Sequence, residues 1–166
     1  MNADHDLPGQ GDGARICFRL KGRSIQLDKR VNAVRGDLAD VSLAGLLFAP
    51  HYAKAQAMHC AKGAMFVRES ASADAAAVTQ LLHGEGFHLL DVTGGWAWGY
   101  CDHDGYVGYV EREALASSGF EATHRITARA APVFAAADIK APVRTMLSAG
   151  ARIAGEVSGA FLLLAD

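Results

Sequence analysis

Residues 94–110 read Gly-Gly-Trp-Ala-Trp-Gly-Tyr-Cys-Asp-His-Asp-Gly-Tyr-Val-Gly-Tyr-Val, and this stretch decides the fold. From Trp96 to Tyr100 large and small residues alternate with period two, so in a strand Trp96, Trp98 and Tyr100 share one face. Asp102-His103-Asp104-Gly105 makes a turn, with Gly at the position that favours positive φ. Tyr106-Val107-Gly108-Tyr109-Val110 returns as the next strand. A ring-rich hairpin of this kind predicts a small β-barrel that shows aromatic side chains at its surface. Such barrels hold or position peptides more often than they break bonds.

The flanks fit the same plan. Phe87-His88-Leu89-Leu90-Asp91-Val92 reads as a strand between the turns Gly84-Glu85-Gly86 and Thr93-Gly94-Gly95. Met58-His59-Cys60 and Ala64-Met65-Phe66-Val67-Arg68 are strand-like, and the small, polar run Ser70 to Ala77 suits a surface loop. Glu111 to Leu115 is expected to make a single helical turn. Further upstream, apolar residues recur at Val34, Leu38 and Val41 with Asp37 and Asp40 between them. That spacing predicts a short helix near Ala39–Leu43, then an extended stretch ending at Pro50. Ile16 to Leu20 is an isolated strand candidate, and residues 1–14, rich in Gly and Asp, are expected to be disordered.

A weaker copy follows. Ala128-Arg129-Ala130-Ala131-Pro132-Val133 echoes Val67-Arg68-Glu69-Ser70-Ala71-Ser72, and Leu147-Ser148-Ala149-Gly150 echoes Leu81-Leu82-His83-Gly84. On these landmarks the intervening loop is five residues longer in the second copy. Ala151 to Val157 then takes the place of the Phe87 strand, and Phe161 to Leu164 that of Trp96 to Gly99. Counterparts of the GYVGYV strand and of its closing turn are missing. An open barrel leaves an unpaired edge and an uncovered core, so the chain is expected to be a fragment of a longer protein.

Composition narrows the function classes. The 166 residues are 51% hydrophobic and 20% charged with a net charge of -2, as in a globular domain or two, without a basic footprint for nucleic acid or a membrane surface. The N-terminus lacks the basic region and apolar core of a secretory signal. Cys17, Cys60 and Cys101 are odd in number and widely spaced, which argues against a disulfide framework. The expected location is the cytoplasm.

The segments LDKRVNAVRGDLADVSLAG (27–45), DVTGGWAWGYC (91–101), GYVGYV (105–110) and THRITARAAPVFAAADIKAPV (123–143) resemble the N-terminal half of bacterial NlpC/P60-family cysteine endopeptidases. In the subfamily concerned, two bacterial SH3-like domains precede a catalytic domain that cuts between γ-D-glutamate and a diamino acid in murein peptides. The resemblance implies an all-β fold of tandem SH3-like small barrels, the second incomplete, behind a short mixed lead-in. The expected limits are 1–26 for a weakly ordered extension, 27–56 for the lead-in with its short helix, 57–117 for the first SH3-like domain and 122–166 for the truncated second.

It also implies a non-catalytic module for targeting and substrate positioning, whose partners are the parent's catalytic domain and murein peptides. The alternative is a stand-alone SH3-like protein that binds a peptide or protein. The family's nucleophile lies in an Asp-Cys-Ser-Gly-like motif, which none of Cys17, Cys60 and Cys101 matches, so no catalytic residue is expected here. In the resembling enzymes an aromatic of the first SH3-like domain helps fix the free N-terminal end of the substrate. Tyr106, the first ring of the GYVGY stretch, best matches it, and Trp98, Tyr100 and Tyr109 complete the expected binding set. Rings join large apolar area to a polar edge and so suit peptide backbones and ammonium groups; the other reading is that they fill the barrel, and the period alone leaves the inward face open for Trp96 and Tyr109.

Neither a cofactor nor a metal is expected. Cys101 with Asp102-His103-Asp104 offers ligand-type side chains, but adjacent turn residues rarely converge on one ion, and Asp-x-Asp-Gly is ordinary hairpin chemistry. Cys101 and His103 are the one close thiol–imidazole pair, read as an inert thiol beside a turn. The glycines of residues 84–86 and 94–95 lie between strands and cradle no phosphate.

Overall fold

The alternation seen along residues 96–101 becomes a central strand, and its neighbours organise the first half of the molecule. The computed structural model describes residues 27–117 and 120–165; the Ile16–Leu20 strand and the extension over 1–26 lie outside the described residues. A lead-in carries two short parallel strands, β1 (Leu38–Asp40) and β2 (His51–Ala53), with a 3-10 turn over Val41–Leu43 where the sequence predicts a short helix. Asp40 caps that turn by accepting from the Ser42 N–H at 2.7 Å.

Seven strands follow: β3 (Gln56–Cys60), β4 (Ala64–Arg68), β5 (Ala77–Leu82), β6 (Gly86–Thr93), β7 (Trp96–Cys101), β8 (Val107–Glu111) and β9 (Leu115–Ser117). They form one antiparallel sheet in the order β5-β4-β8-β7-β6-β3-β9. Arg112–Ala114 makes the expected single helical turn between β8 and β9.

Every strand of this sheet sends side chains to one cluster, which shows that the sheet curls around a common interior. Met58 and Cys60 come from β3, Val67 from β4, Leu81 from β5, Phe87 and Leu89 from β6, Ala97 and Cys101 from β7, Val110 from β8 and Leu115 from β9. Phe87 is the largest side chain fully buried there. The small residues of β7 face inward for a steric reason. Gly99 and Gly108 stand opposite one another across β7 and β8. A Cβ on Gly99 would collide with the His88 carbonyl and approach the Phe87 ring at 2.9 Å; one on Gly108 would lie 2.6 Å from the Arg68 carbonyl oxygen. The rings are thereby forced onto the outer face.

The second half repeats this plan, 66 residues on as far as Ile153 and 65 residues on in its last hairpin. Its strands are β10 (His124–Arg125), β11 (Ala130–Phe134), β12 (Val143–Ser148), β13 (Arg152–Ile153), β14 (Gly155–Ser158) and β15 (Phe161–Leu164). The Gly84 N–H donates to the Cys60 carbonyl at 2.8 Å, and 66 residues on the Gly150 N–H donates to the Ile126 carbonyl at 2.9 Å. The Cys60 N–H to Glu85 carbonyl bond has the same counterpart in Ile126 to Ala151. Both hairpins carry a bulge at matching places, after Val67 and after Val133.

This spacing corrects one sequence expectation. Val133 matches Val67, so the β4–β5 and β11–β12 loops are equal in length and the second contains no insertion. Local similarity within an Ala-rich run misplaced that landmark. The pairing of Ala151–Val157 with the Phe87 strand, and of Phe161–Leu164 with the Trp96 strand, holds in the structure. The second interior is small, with Leu147, Ala151 and Ile153 as its buried residues.

The two halves touch through equivalent turns. The Arg152 N–H donates to the His83 carbonyl at 2.8 Å, while His83 Nδ1 lies 2.9 Å from the Arg152 carbonyl oxygen. Gly84 is required here, because a Cβ would strike the Arg152 carbonyl and lie 2.7 Å from the Phe120 ring. Among the described residues, no helix is long and apolar enough to cross a membrane.

Candidate functional site

The outer face of β6, β7 and β8 gathers the aromatic residues singled out by the sequence. Cross-strand register sets Trp98 opposite Asp91 on one side and Tyr109 on the other, and Tyr100 opposite His88 and Val107. Trp96 also lies on this outer side, since its neighbour Ala97 is fully buried in the core. Tyr109 does likewise, because Val110 points inward.

Of the four expected ligand-binding rings, Trp98 is buried, with 4% of its surface exposed, while Tyr100, Tyr106 and Tyr109 remain half-buried. What covers Trp98 is the lead-in. Arg35 places its guanidinium carbon 4.6 Å from the Trp98 ring centroid, a cation–π arrangement. The same guanidinium reaches Asp91 through Nη2 at 2.5 Å and Asp37 through Nε at 2.7 Å. Arg35 holds the carboxyls of Asp91 and Asp37 below their ordinary range, chiefly through these hydrogen bonds. Trp98 therefore works first as the platform on which the lead-in docks.

Tyr100 stacks on His88 with ring centroids 4.6 Å apart and planes 15° from parallel. Burial, and then the negative charge of Asp40, push its phenol above the ordinary value. Between the lead-in and β7 lies a cavity of about 170 Å³, lined by Asn32, Ala33, Asp40, Ser42, Leu43 and Tyr100 among others. Asp40 is buried at 5% exposure, so this cavity offers a carboxylate, a phenol and an aromatic face together. A small cationic or hydroxyl-bearing group suits such a lining.

Tyr106 sits just before β8, where its N–H donates to Asp104 Oδ1 at 2.9 Å and its carbonyl accepts from the Cys101 N–H at 3.0 Å. The next residue, Val107, donates its N–H to the Arg30 carbonyl at 2.8 Å. The lead-in thus passes beside Tyr106 as well as over Trp98. Arg35, Asp40 and Asp91 are members of this site that sequence reasoning left unassigned. The signal was slight: Asp37 and Asp40 read only as polar spacers between apolar positions.

A second cluster lies at the turn after β7. Ligand-type atoms of Cys101, His103 and Asp104 all fall within 4.8 Å of one another. His103 Nε2 is 3.1 Å from Asp104 Oδ2, its Nδ1 is 3.7 Å from Glu85 Oε2, and Thr79 Oγ1 donates to Asp104 Oδ2 at 2.6 Å. Among the described residues these three are the set that could hold a metal. The fold does bring the thiol and the imidazole together, yet the chemistry for nucleophilic attack is wrong. Burial, and then Asp104 and Glu85, push the Cys101 thiol far above its ordinary value, and burial raises Cys60 as well. A thiol held protonated is a poor nucleophile.

Comparison with known proteins bears on the same stretch. Residues 67–115 match the family model described as the bacterial dipeptidyl-peptidase SH3 domain. The match runs from Val67 in β4 through the aromatic hairpin to Leu115, the first residue of β9. No curated protein matches the chain. The family match and the curled antiparallel sheet together identify the segment from β4 to β9 as part of an SH3-like domain.

Proposed function

We propose that this chain is a non-catalytic SH3-like module that positions a murein peptide for the catalytic domain of a cysteine endopeptidase. In this reading the parent enzyme cleaves between γ-D-glutamate and a diamino acid in the cytoplasm. The observation that carries it is the match of residues 67–115 to an SH3 domain of bacterial dipeptidyl-peptidases, on a stretch that also bears the half-buried rings. Tyr106 is the leading contact, with Tyr100 and Tyr109 beside it. Trp98 acts through the lead-in that it anchors. The raised Cys60 and Cys101 thiols support a reading in which the parent's catalytic domain carries the bond cleavage.

A second reading, a stand-alone binder of peptides or proteins, draws on the same half-buried rings and on the lined cavity beside Asp40. Calorimetric titration of the chain alone with L-Ala-γ-D-Glu-diamino acid separates the two. A positioning module binds this peptide weakly or not at all until a catalytic domain supplies the other wall of the site. Tight, saturable binding by the chain alone contradicts the positioning role and supports the stand-alone one.

A further inference from the structure

The turn after β7 brings unlike donors to one point. The Gly105 N–H donates to the Cys101 carbonyl and the Cys101 N–H to the Tyr106 carbonyl, each at 3.0 Å, so this turn closes on itself. Adjacent turn residues rarely aim at one place, yet here a thiol, an imidazole and a carboxylate all come within 4.8 Å of one another. The thiol is the informative member. Cys60 donates to the Lys62 carbonyl at 3.5 Å. Cys101, at 0% exposure, has no hydrogen-bond partner among the described residues. Its sulfur is buried, unpartnered and beside His103 and Asp104.

We propose that Cys101 Sγ, His103 Nε2 and Asp104 Oδ2 form a binding site for one divalent cation of the zinc class, with water as the fourth ligand. Zinc sits about 2.0–2.3 Å from such donors, which sets tetrahedral ligands about 3.3–3.8 Å apart. His103 Nε2 and Asp104 Oδ2, at 3.1 Å, are already that close. The sulfur needs to approach them by about 1 Å at most. A thiolate with an imidazole selects zinc over calcium or magnesium, which take oxygen ligands. Zinc replaces the thiol proton, which passes to solvent. One thiolate and one carboxylate then neutralise the cation, as a partly buried site requires.

The groups around the three ligands orient them. His103 turns Nδ1 toward Glu85 Oε2 at 3.7 Å, and Glu85, at 8% exposure, is itself held by the Leu82 N–H at 2.9 Å. A carboxylate behind the imidazole favours the proton on Nδ1 and leaves Nε2 for the metal. Thr79 Oγ1 donates to Asp104 Oδ2 at 2.6 Å and the Tyr106 N–H to Oδ1 at 2.9 Å, which fixes that carboxylate. The side chains of His103 and Asp104 stay 29% and 23% exposed, so an ion reaches them from solvent. The cation braces the turn from which Tyr106 leaves, and the inference does not depend on what Tyr106 binds.

The test strips metal from the full chain, in a Cys17→Ser background, with a chelator and titrates zinc chloride back by calorimetry. One equivalent should bind with a Kd on the order of 1 µM or tighter. Cobalt in its place should show a thiolate-to-metal charge-transfer band that disappears in Cys101→Ala. His103→Ala, on the partly exposed turn, should weaken zinc at least tenfold while its metal-free circular dichroism matches the parent's. Glu85→Gln should weaken it by about tenfold through the imidazole, and Asp102→Ala, outside the set, should bind as the parent does. The absence of stoichiometric binding overturns the proposal, as does equal affinity in His103→Ala or an equal loss in Asp102→Ala. A cobalt spectrum without the thiolate band, or with one that persists in Cys101→Ala, overturns it too.

Discussion

The guanidinium of Arg35 lies over the Trp98 ring, 4.6 Å from its centroid, while it grips Asp91 on the neighbouring strand. One residue of the lead-in therefore ties a buried aromatic to the strand pair that carries the candidate site. Arg35→Ala is expected to cost roughly 1 kcal/mol, the size of a part-exposed ion pair plus a cation–π contact. Trp98 should become accessible to acrylamide, with its fluorescence shifted to the red. Unchanged quenching would show that other contacts hold the lead-in down.

The same contact makes docking of the lead-in sensitive to acid. Asp91 has a folded value below its ordinary one because Arg35 donates to it. Its contribution is complete above the unfolded value, near pH 4, and is lost as pH falls through the lower folded value. Stability followed by urea unfolding should fall over that window in the native protein and fall less steeply in Asp91→Asn. Equal acid profiles for the two proteins would contradict this.

Gly108→Ala should destabilise the first half by about 1–3 kcal/mol, the usual cost of overpacking a filled interior. The added Cβ lies 2.6 Å from the Arg68 carbonyl oxygen and 2.7 Å from Val67 Cγ1. Gly99→Ala meets the His88 backbone more closely still and is expected to be the worse of the two. Midpoints of urea unfolding measure both.

Cys60 and Cys101 are fully buried and their thiols are held protonated. In a Cys17→Ser background, neither should react with iodoacetamide at neutral pH until the protein unfolds. Rapid alkylation of Cys101 in the folded protein would point instead to an activated thiol beside His103.

Much of this architecture is legible in the residues. The period-two run at Trp96–Cys101, the Gly105 turn and the single helical turn at Arg112–Ala114 all appear where local chemistry places them. The facing of β7 is set by a clash that a pattern cannot show, between any side chain at position 99 and the His88 backbone. Burial of Trp98 depends on Arg35, 63 residues earlier, and nothing in the local run around either residue signals that they meet. The repeat was visible through its glycines, since Gly84 and Gly150 occupy the same turn. Its Ala-rich strand β11 offered several alignments of nearly equal quality, and only pairing with β12 selects one.

The positioning role is tested most directly by steady-state kinetics on L-Ala-γ-D-Glu-diamino acid, with this module joined to a cysteine endopeptidase catalytic domain. Tyr106→Ala should raise KM severalfold, with kcat reduced much less and the fold intact by circular dichroism. Equal kcat/KM for the two proteins would contradict the account.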